Sequence, residues 1–406
     1  MPLDRRLDLV NFLLADVRGG LGPYVGIFLL GTGQWDQAQI GLVLTVSGLI
    51  GISLHAPIGA LIDATRHKRT LLLGGVWALA AAGLAIAWLP TMPVVLAADI
   101  VMAVLGAVFA PTVAAITVGL VTREALAARL GRNAACDRAG NIFAAAAAGL
   151  AGWAFSIVAV FYLVPLFAVL TTMAVLAIPV GAIDHDRARG LVPAGPADHP
   201  HAASWRTLLR HRPFVVLAGS MALFHFANAP ILLLLGQRLE LAHPGSVTLL
   251  MSAAIITAQL VSIPVALLVG ARADRWGRKP LLLAGFAALP LRAILFALTD
   301  DPAWVIAAQV LDGVSLGTLE ALLALVLADI MRGSGRYNAA RGVIGTIQGI
   351  GGSSSNVAVG LLVVGAGYPA AFLSLAAVAA GAALLVWHAL PETASADQPA
   401  GRSNSQ

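Results

Sequence analysis

Charge is what this sequence has least of. Lys, Arg, Asp and Glu make up 11% of its 406 residues while 59% are hydrophobic, and a soluble domain carries about 25% charged residues. With a mean hydropathy of +0.87, the chain is excluded from the soluble globular class. Cysteine is almost absent too. Cys136 is the only one, which rules out an internal disulfide or a thiolate cluster and reads as a small inert helix residue. No Gly-Lys-Ser/Thr phosphate loop occurs, so ATP-driven transport is not expected. Ser353, Ser354 and Ser355 have no nucleophile-elbow context and read as small packing residues. No His/Cys/Asp cluster has metal-ligand spacing. No enzyme activity, cofactor or metal is therefore expected.

What is present is long apolar runs. About 20 apolar residues cross a bilayer as a helix, and twelve such segments occur, at 7–30, 38–62, 70–89, 93–119, 134–158, 160–182, 213–236, 246–271, 280–299, 303–331, 338–364 and 368–390. They are apolar all round rather than alternating, which excludes a β-barrel. The net charge of +5 is topological rather than a sign of nucleic-acid binding. Arg5 and Arg6 precede segment 1; Arg66, Lys68 and Arg69 follow segment 2; Arg123, Arg129 and Arg132 follow segment 4. Arg187, Arg189, Arg206, Arg210 and Arg212 precede segment 7, Arg272, Arg275, Arg278 and Lys279 follow segment 8, and Arg332 and Arg336 follow segment 10. Arg238, close to Glu240, is the exception on the other side. By the positive-inside rule both termini are cytoplasmic in a multi-pass protein of the cytoplasmic (inner) membrane. The first apolar run is long and interrupted by Asp16 and Arg18, unlike a cleaved signal.

The expected organisation is a six-helix bundle over 1–182, a cytoplasmic linker over 183–212, a second bundle over 213–391 and a disordered tail over 392–406. Ser204 to Arg212 is expected to form a short amphipathic helix on the membrane surface. The two bundles read as a duplication. Gly59, Asp63 and the basic run Arg66 to Arg69 recur, 211 residues on, as Gly270, Asp274, Arg275, Gly277, Arg278 and Lys279. The same offset maps Gly106 onto Gly317, and Gly131-Arg132-Asn133 corresponds to Gly335-Arg336-Tyr337-Asn338. A duplicated helical bundle is the architecture of a secondary transporter.

Through the loop signature Gly270-x-x-x-Asp274-Arg275-x-Gly277-Arg278-Lys279, and its N-terminal copy Gly59, Asp63, Lys68 and Arg69, the whole chain resembles the major facilitator superfamily. Its nearest likeness is to the drug and metabolite:proton antiporter group. The resemblance implies an all-α membrane protein of twelve helices in two pseudo-symmetric six-helix bundles, with alternating access to a central cavity. It implies that the loop residues Gly59, Asp63, Arg69, Gly270, Asp274, Arg275, Gly277 and Arg278 gate the bundles, the aspartate stabilising the outward-open state. It also places helices 1, 4, 7 and 10 at the cavity. Two positions depart from the antiporters: Asp99 stands about twelve residues before Pro111, where they carry Arg, and the end of segment 5 is Ala-rich without Pro.

Ionisable groups inside membrane helices cost roughly 2.5–3.5 kcal/mol each, so each needs a partner or a role. Asp16 and Arg18 precede Gly19-Gly20-x-Gly22-Pro23, a run expected to break the helix and line a cavity; the alternative is a structural contact to neighbouring helices. In segment 10, Gln309, Asp312 and Glu320 share an arc of about 80° at 100° per residue. A carboxylate in a dry site can take up and release protons near neutral pH, so Asp312 and Glu320 are the candidates for proton coupling. Their alternative is fixed pairing with Arg292 or Arg341. Asp16, Arg18, Asp99, His225, Asn228, Gln309 and Gln348 are the candidate cavity residues. Asp137 and Arg138 read as a structural pair and His55 as a hydrogen-bonded interior histidine. Asp329 reads as a loop partner at the interface. The partners expected are a small molecule, protons and lipid, handled by a monomer; export is favoured over import of an organic anion or passive facilitation. A non-transporting receptor is disfavoured by the doubled signature.

Overall fold

The computed structural model describes residues 3–19, 21–184, 210–332 and 337–393. The amphipathic helix expected over 204–212 falls almost wholly outside the described residues, as do the tail beyond 393 and the Gly335-Arg336 pair.

Every described element is helical. Helix α1 is broken into Leu3–Gly19 and Gly22–Gly31, and α2 runs Gln37–Ala64, α3 Lys68–Trp88, α4 Met92–Leu120, α5 Arg123–Ala154 and α6 Ile157–Leu176. After a 3₁₀ turn at Val180–Ala182, α7 comprises Arg212–Asn228 and Ile231–Ala242; α8 is Val247–Trp276, α9 Arg278–Leu298 and α10 Pro302–Ile330. The helical stretch Tyr337–Ala389 divides at Gly367, whose φ of 82° and ψ of 171° no helix contains, into α11 (337–366) and α12 (368–389). Nine helical stretches among the described residues are long and apolar enough to cross a membrane. Dividing the longest at Gly367 and adding α1 and α5 gives the twelve segments read from the sequence.

The boundaries follow local chemistry. Asp36 caps α2 in a capping box, its carboxylate accepting from Gln39 N at 2.8 Å while Asp36 N donates to Gln39 Oε1 at 3.1 Å. Asp301 caps α10 with Pro302 in the first turn. Helix α5 begins at Arg123, not near 134 as hydropathy suggests, because the Ala-, Leu- and Arg-rich stretch 123–133 favours helix and continues past the apolar zone. Helix α6 ends at Leu176, short of 182, where the 3₁₀ turn takes over.

Two helices are broken at matching places. Helix α1 restarts at Gly22 with Pro23 in its first turn, and α7 restarts at Ile231 directly after Pro230. Proline removes a donor and blocks the preceding turn. Interrupted helices at corresponding positions of two repeats mark the transport site in such folds. The break in α1 is legible in the sequence; its counterpart in α7 hides in a single proline.

The loops 65–67, 121–122 and 177–184 and the 276–278 junction lie at one end of the bundle, here called the basic end. Arg69 Nη2 donates to Leu176 O at 3.2 Å and Asp184 N to Gly119 O at 2.9 Å there. The connections 32–36 and 89–91 lie at the far end, joined by Trp35 Nε1 donating to Pro90 O at 2.8 Å. Within each half, small residues bring helices close. A Cβ on Gly140 of α5 would stand 2.1 Å from Phe12 O of α1, and one on Gly317 of α10 2.5 Å from Ser262 O of α8.

The halves meet along three seams. Gly26 and Ile27 of α1 pack on Leu233 and Gly236 of α7. Helix α2 meets α11 and the start of α12, where Thr45 Oγ1 donates to Ser353 O at 2.7 Å and Gln37 Nε2 to Tyr368 OH of α12 at 2.9 Å. Helix α5 meets α8, where Gly149 and Gly152 accommodate Ser252 and Thr248. Tyr24 OH and Ser252 Oγ, 2.7 Å apart, tie the first seam to the third. Among the described residues, these inter-half contacts run from mid-helix to the far end, so the molecule is closed at the far end and parted at the basic end.

Candidate functional site

A cavity of about 420 Å³ occupies the C-terminal half, lined from α7 by Phe224, His225 and Asn228, from α10 by residues between Asp312 and Ala324, and from α11 by Arg341 and Gln348. That is within the roughly 300–1,000 Å³ of small-molecule sites. Its polar lining follows helical spacing: Asp312, Leu316, Glu320 and Ala324, four residues apart, present one face of α10, and Arg341 and Gln348, seven apart, lie two turns apart on α11.

Each carboxylate is held by an arginine, but from different places. Arg292 of α9, its side chain 4% exposed, forms an ion pair with Asp312. Its guanidinium also donates to Asn228 Oδ1 and, at 3.5 Å, to Gln309 Oε1. Gln309 is buried beside this pair, behind the cavity wall rather than on it, and its amide nitrogen has no partner among the described residues. Arg138 of α5 pairs with Glu320 and donates to Gln259 Oε1 at 3.2 Å and Ser262 Oγ at 3.0 Å. Arg341 donates to Tyr337 OH at 3.3 Å and has no ion pair among the described residues. His225 lies with Nδ1 3.0 Å from Met221 O.

The structure thus brings His225, Asn228, Asp312, Glu320 and Gln348 of the expected residues to one cavity. Asp99 is not among them: it is buried between α4 and α2, where its carboxylate accepts a hydrogen bond from Ser47 Oγ. The side chains of Asp16, Arg18 and Asp63 lie outside the described residues. Two readings are corrected. Arg138 reaches across to α10 rather than pairing with Asp137, because adjacent helical residues point about 100° apart; Asp137 Oδ2 accepts from Asn141 Nδ2 at 3.3 Å. His55 is exposed, not interior, because it lies on the part of α2 that has left α11.

At the basic end the two loop signatures do different work. Arg278, buried, pairs with Asp329 and bonds Asp274 at 3.0 Å, while Asp274 itself is 90% exposed. Asp329 also accepts from Arg332 at 2.7 Å, so it is the loop partner expected of it. Gly277 has a φ of +85° that favours glycine, and a Cβ there would stand 2.8 Å from Glu392 Oε2. Glu392 in turn accepts from the backbone N–H groups of Arg278 at 2.9 Å and Lys279 at 3.1 Å, capping α9. Sequence reading put Glu392 in the tail; nothing local signals a cap supplied from 113 residues away. Glu392→Ala should cost about 1 kcal/mol, as loss of an N-cap does, read as a lower unfolding midpoint in detergent; an unchanged midpoint would count against the cap. In the N-terminal copy, fully buried Lys68 donates to Ile62 O at 2.8 Å and Thr65 O at 2.9 Å, closing the end of α2. Gly59 and Gly270 face open space here: among the described residues, a Cβ on either would meet nothing within 4 Å. Arg275 is exposed.

Comparison with known proteins agrees with this architecture. The sequence model of the Major Facilitator Superfamily matches residues 7–263 and 241–405. In two strains of Mycobacterium tuberculosis, proteins described as uncharacterized MFS-type transporters are 44% identical over 393 residues, covering 97% of this chain and 94% of each relative. Among solved structures, an aspartate-to-alanine mutant of the nucleoside transporter NupG superposes with a TM-score of 0.79 at 16% identity, over 96% of this chain and 100% of that one. A D-xylose-proton symporter gives 0.72 at 14% identity, over 96% and 98%. The chain belongs to the Major Facilitator Superfamily. It is a multi-pass membrane transporter of a small molecule and not an enzyme.

Proposed function

We propose that the protein is a proton-coupled secondary transporter that exports a small polar molecule across the cytoplasmic membrane by alternating access, acting as a monomer. The positive-inside rule puts the basic end in the cytoplasm, so the parted end faces inward and the cavity loads from the cytoplasm. The observation that carries the reading is one cavity, open on that side, in which two membrane-embedded carboxylates, Asp312 and Glu320, stand against arginines. Ionisable groups within membrane helices that face a cavity in this way mark proton and substrate pathways. The basic-end signatures Gly59, Asp63, Arg69, Gly270, Asp274, Arg275, Gly277 and Arg278 are assigned to gating. The empty space over Gly59 and Gly270 supports this, because glycines that touch nothing when the end is parted leave room for helices to approach when it closes.

A second reading, import of an organic anion, draws on Arg341, a cavity guanidinium with no acid against it among the described residues. A growth screen separates the two. An efflux-deficient bacterium expressing the native chain would be compared with matched expression of Asp312→Asn and Glu320→Gln across toxic compounds and sole nutrients. The expected result is resistance to one class of compound, lost in the variants and lost when an uncoupler collapses the proton gradient. Sensitisation to a toxic anion, or growth gained on an anionic nutrient, would reverse the direction. Resistance indifferent to the uncoupler would remove proton coupling.

A further inference from the structure

The counter-ions of Asp312 and Glu320 differ in one respect that decides their chemistry. Arg292 belongs to α9, in the same half as α10, and its contacts to Asp312, Asn228 and Gln309 lie within that half. A rigid-body rocking of one half against the other leaves this pair intact. Arg138 belongs to α5, in the other half, and its pair with Glu320 spans the seam between α5 and α8. Residues 138, 259 and 320 lie near the middle of their helices, and the hydrogen bonds and close approaches between the halves described above lie at that level or toward the far end. Arg138 therefore fastens the two halves at mid-membrane, beside the parted end. Any movement that opens the far end must shift α5 against α8 and α10 and disturb this pair.

We infer that Glu320 is the carboxylate whose proton is coupled to the conformational change, that Arg138 is its state-dependent counter-ion, and that Asp312 is a fixed structural anion. The inference rests on the proposed proton coupling and narrows it to one group. A carboxylate left bare in the middle of the membrane is costly, so when Arg138 withdraws Glu320 takes a proton from water in the cavity. When the basic end parts again, that proton returns to water as Arg138 takes its place. The groups facing Glu320 are Arg138 from α5, Arg341 from α11, His225 from α7 and Asp312 two turns along α10, with α8 contributing the neutral Gln259 and Ser262. Of these, only Arg138 comes from the other half among the described residues.

The test reads conformation and needs no substrate. Spin labels at Ala128→Cys and Ala271→Cys, exposed at the basic ends of α5 and α8, would be placed in a Cys136→Ser background of the full chain in liposomes. Distances would be measured by double electron–electron resonance between pH 5 and pH 8. The native chain should shift from a long to a short distance on acidification. Glu320→Gln and Arg138→Gln should favour the short distance at every pH, its population at pH 8 rising by up to about fivefold, the upper range for a partly exposed ion pair. The exchanged pair, Arg138→Glu with Glu320→Arg, should restore the long distance, which separates loss of the pair from misfolding. Asp312→Asn should keep the pH response. If the native chain responds and Glu320→Gln responds equally, or if Asp312→Asn alone abolishes the response, this inference is overturned while proton coupling stands. If the native chain shows no pH response, the proton-coupled reading itself fails.

Discussion

Arg292→Met is expected to destabilise the protein by roughly 3–5 kcal/mol, the cost of breaking a buried ion pair by removing one partner. The guanidinium is enclosed, and it holds the Asp312 carboxylate and the Asn228 and Gln309 side-chain oxygens together. Methionine fills a similar volume but donates nothing, so the aspartate is left on the cavity wall without its counter-ion. Unfolding in detergent should show the loss. The double variant Arg292→Met/Asp312→Leu should recover the larger part of it, because a well-packed apolar replacement of a whole buried pair is often neutral or stabilising. If the double variant is as unstable as the single one, the effect lies in the packing of the arginine stem and not in its charge.

Opening the far end by force is the second large effect. A Cβ at Gly41 of α2 would stand 2.3 Å from Asn356 O of α11, and one at Gly360 of α11 would stand 2.3 Å from Gln37 O of α2. Both obstacles are backbone atoms, which cannot rotate aside as a side chain can. Gly41→Val with Gly360→Val should therefore push α2 and α11 apart at the far end and favour the opposite state of the cycle. Over-packing typically costs ~1–3 kcal/mol, so the shift should reach about tenfold or more. A reporter cysteine at Thr45, whose hydroxyl now bonds Ser353 O inside that seam, in a Cys136→Ser background, would read it. Labelling by a membrane-impermeant maleimide added outside should rise about tenfold in the valine variant and transport should be lost. No change in labelling would mean that the seam does not part during the cycle.

Both effects depend on contacts that a sequence records only in part. Twelve helices, their rough ends and the duplication were legible, because burial in a bilayer imposes long apolar runs and because the loop signature at Gly270 to Lys279 recurs around Gly59. The break in α1 was legible too, since Gly19-Gly20 and Pro23 stand together. The 80° arc shared by Gln309, Asp312 and Glu320 followed from helical periodicity, and the structure does place Asp312 and Glu320 on one cavity wall. Charge alternation between loops is the basis of the proposed orientation, which helix contacts do not address.

Partners across the fold were beyond it. Periodicity fixes which residues share a face of one helix but not which helix that face meets. So Arg292 could be matched to Asp312 only as one option, Arg138 was matched to its neighbour Asp137, and Asp99 was sent to a cavity that the structure does not bring it to. Glu392, reaching back to cap α9, gave no local sign at all. Chain composition and period determined a twelve-helix membrane transporter and the residues too polar to sit idle within it. Only the packing of one half against the other decided which arginine neutralises which acid, because that depends on through-space distances between segments more than a hundred residues apart.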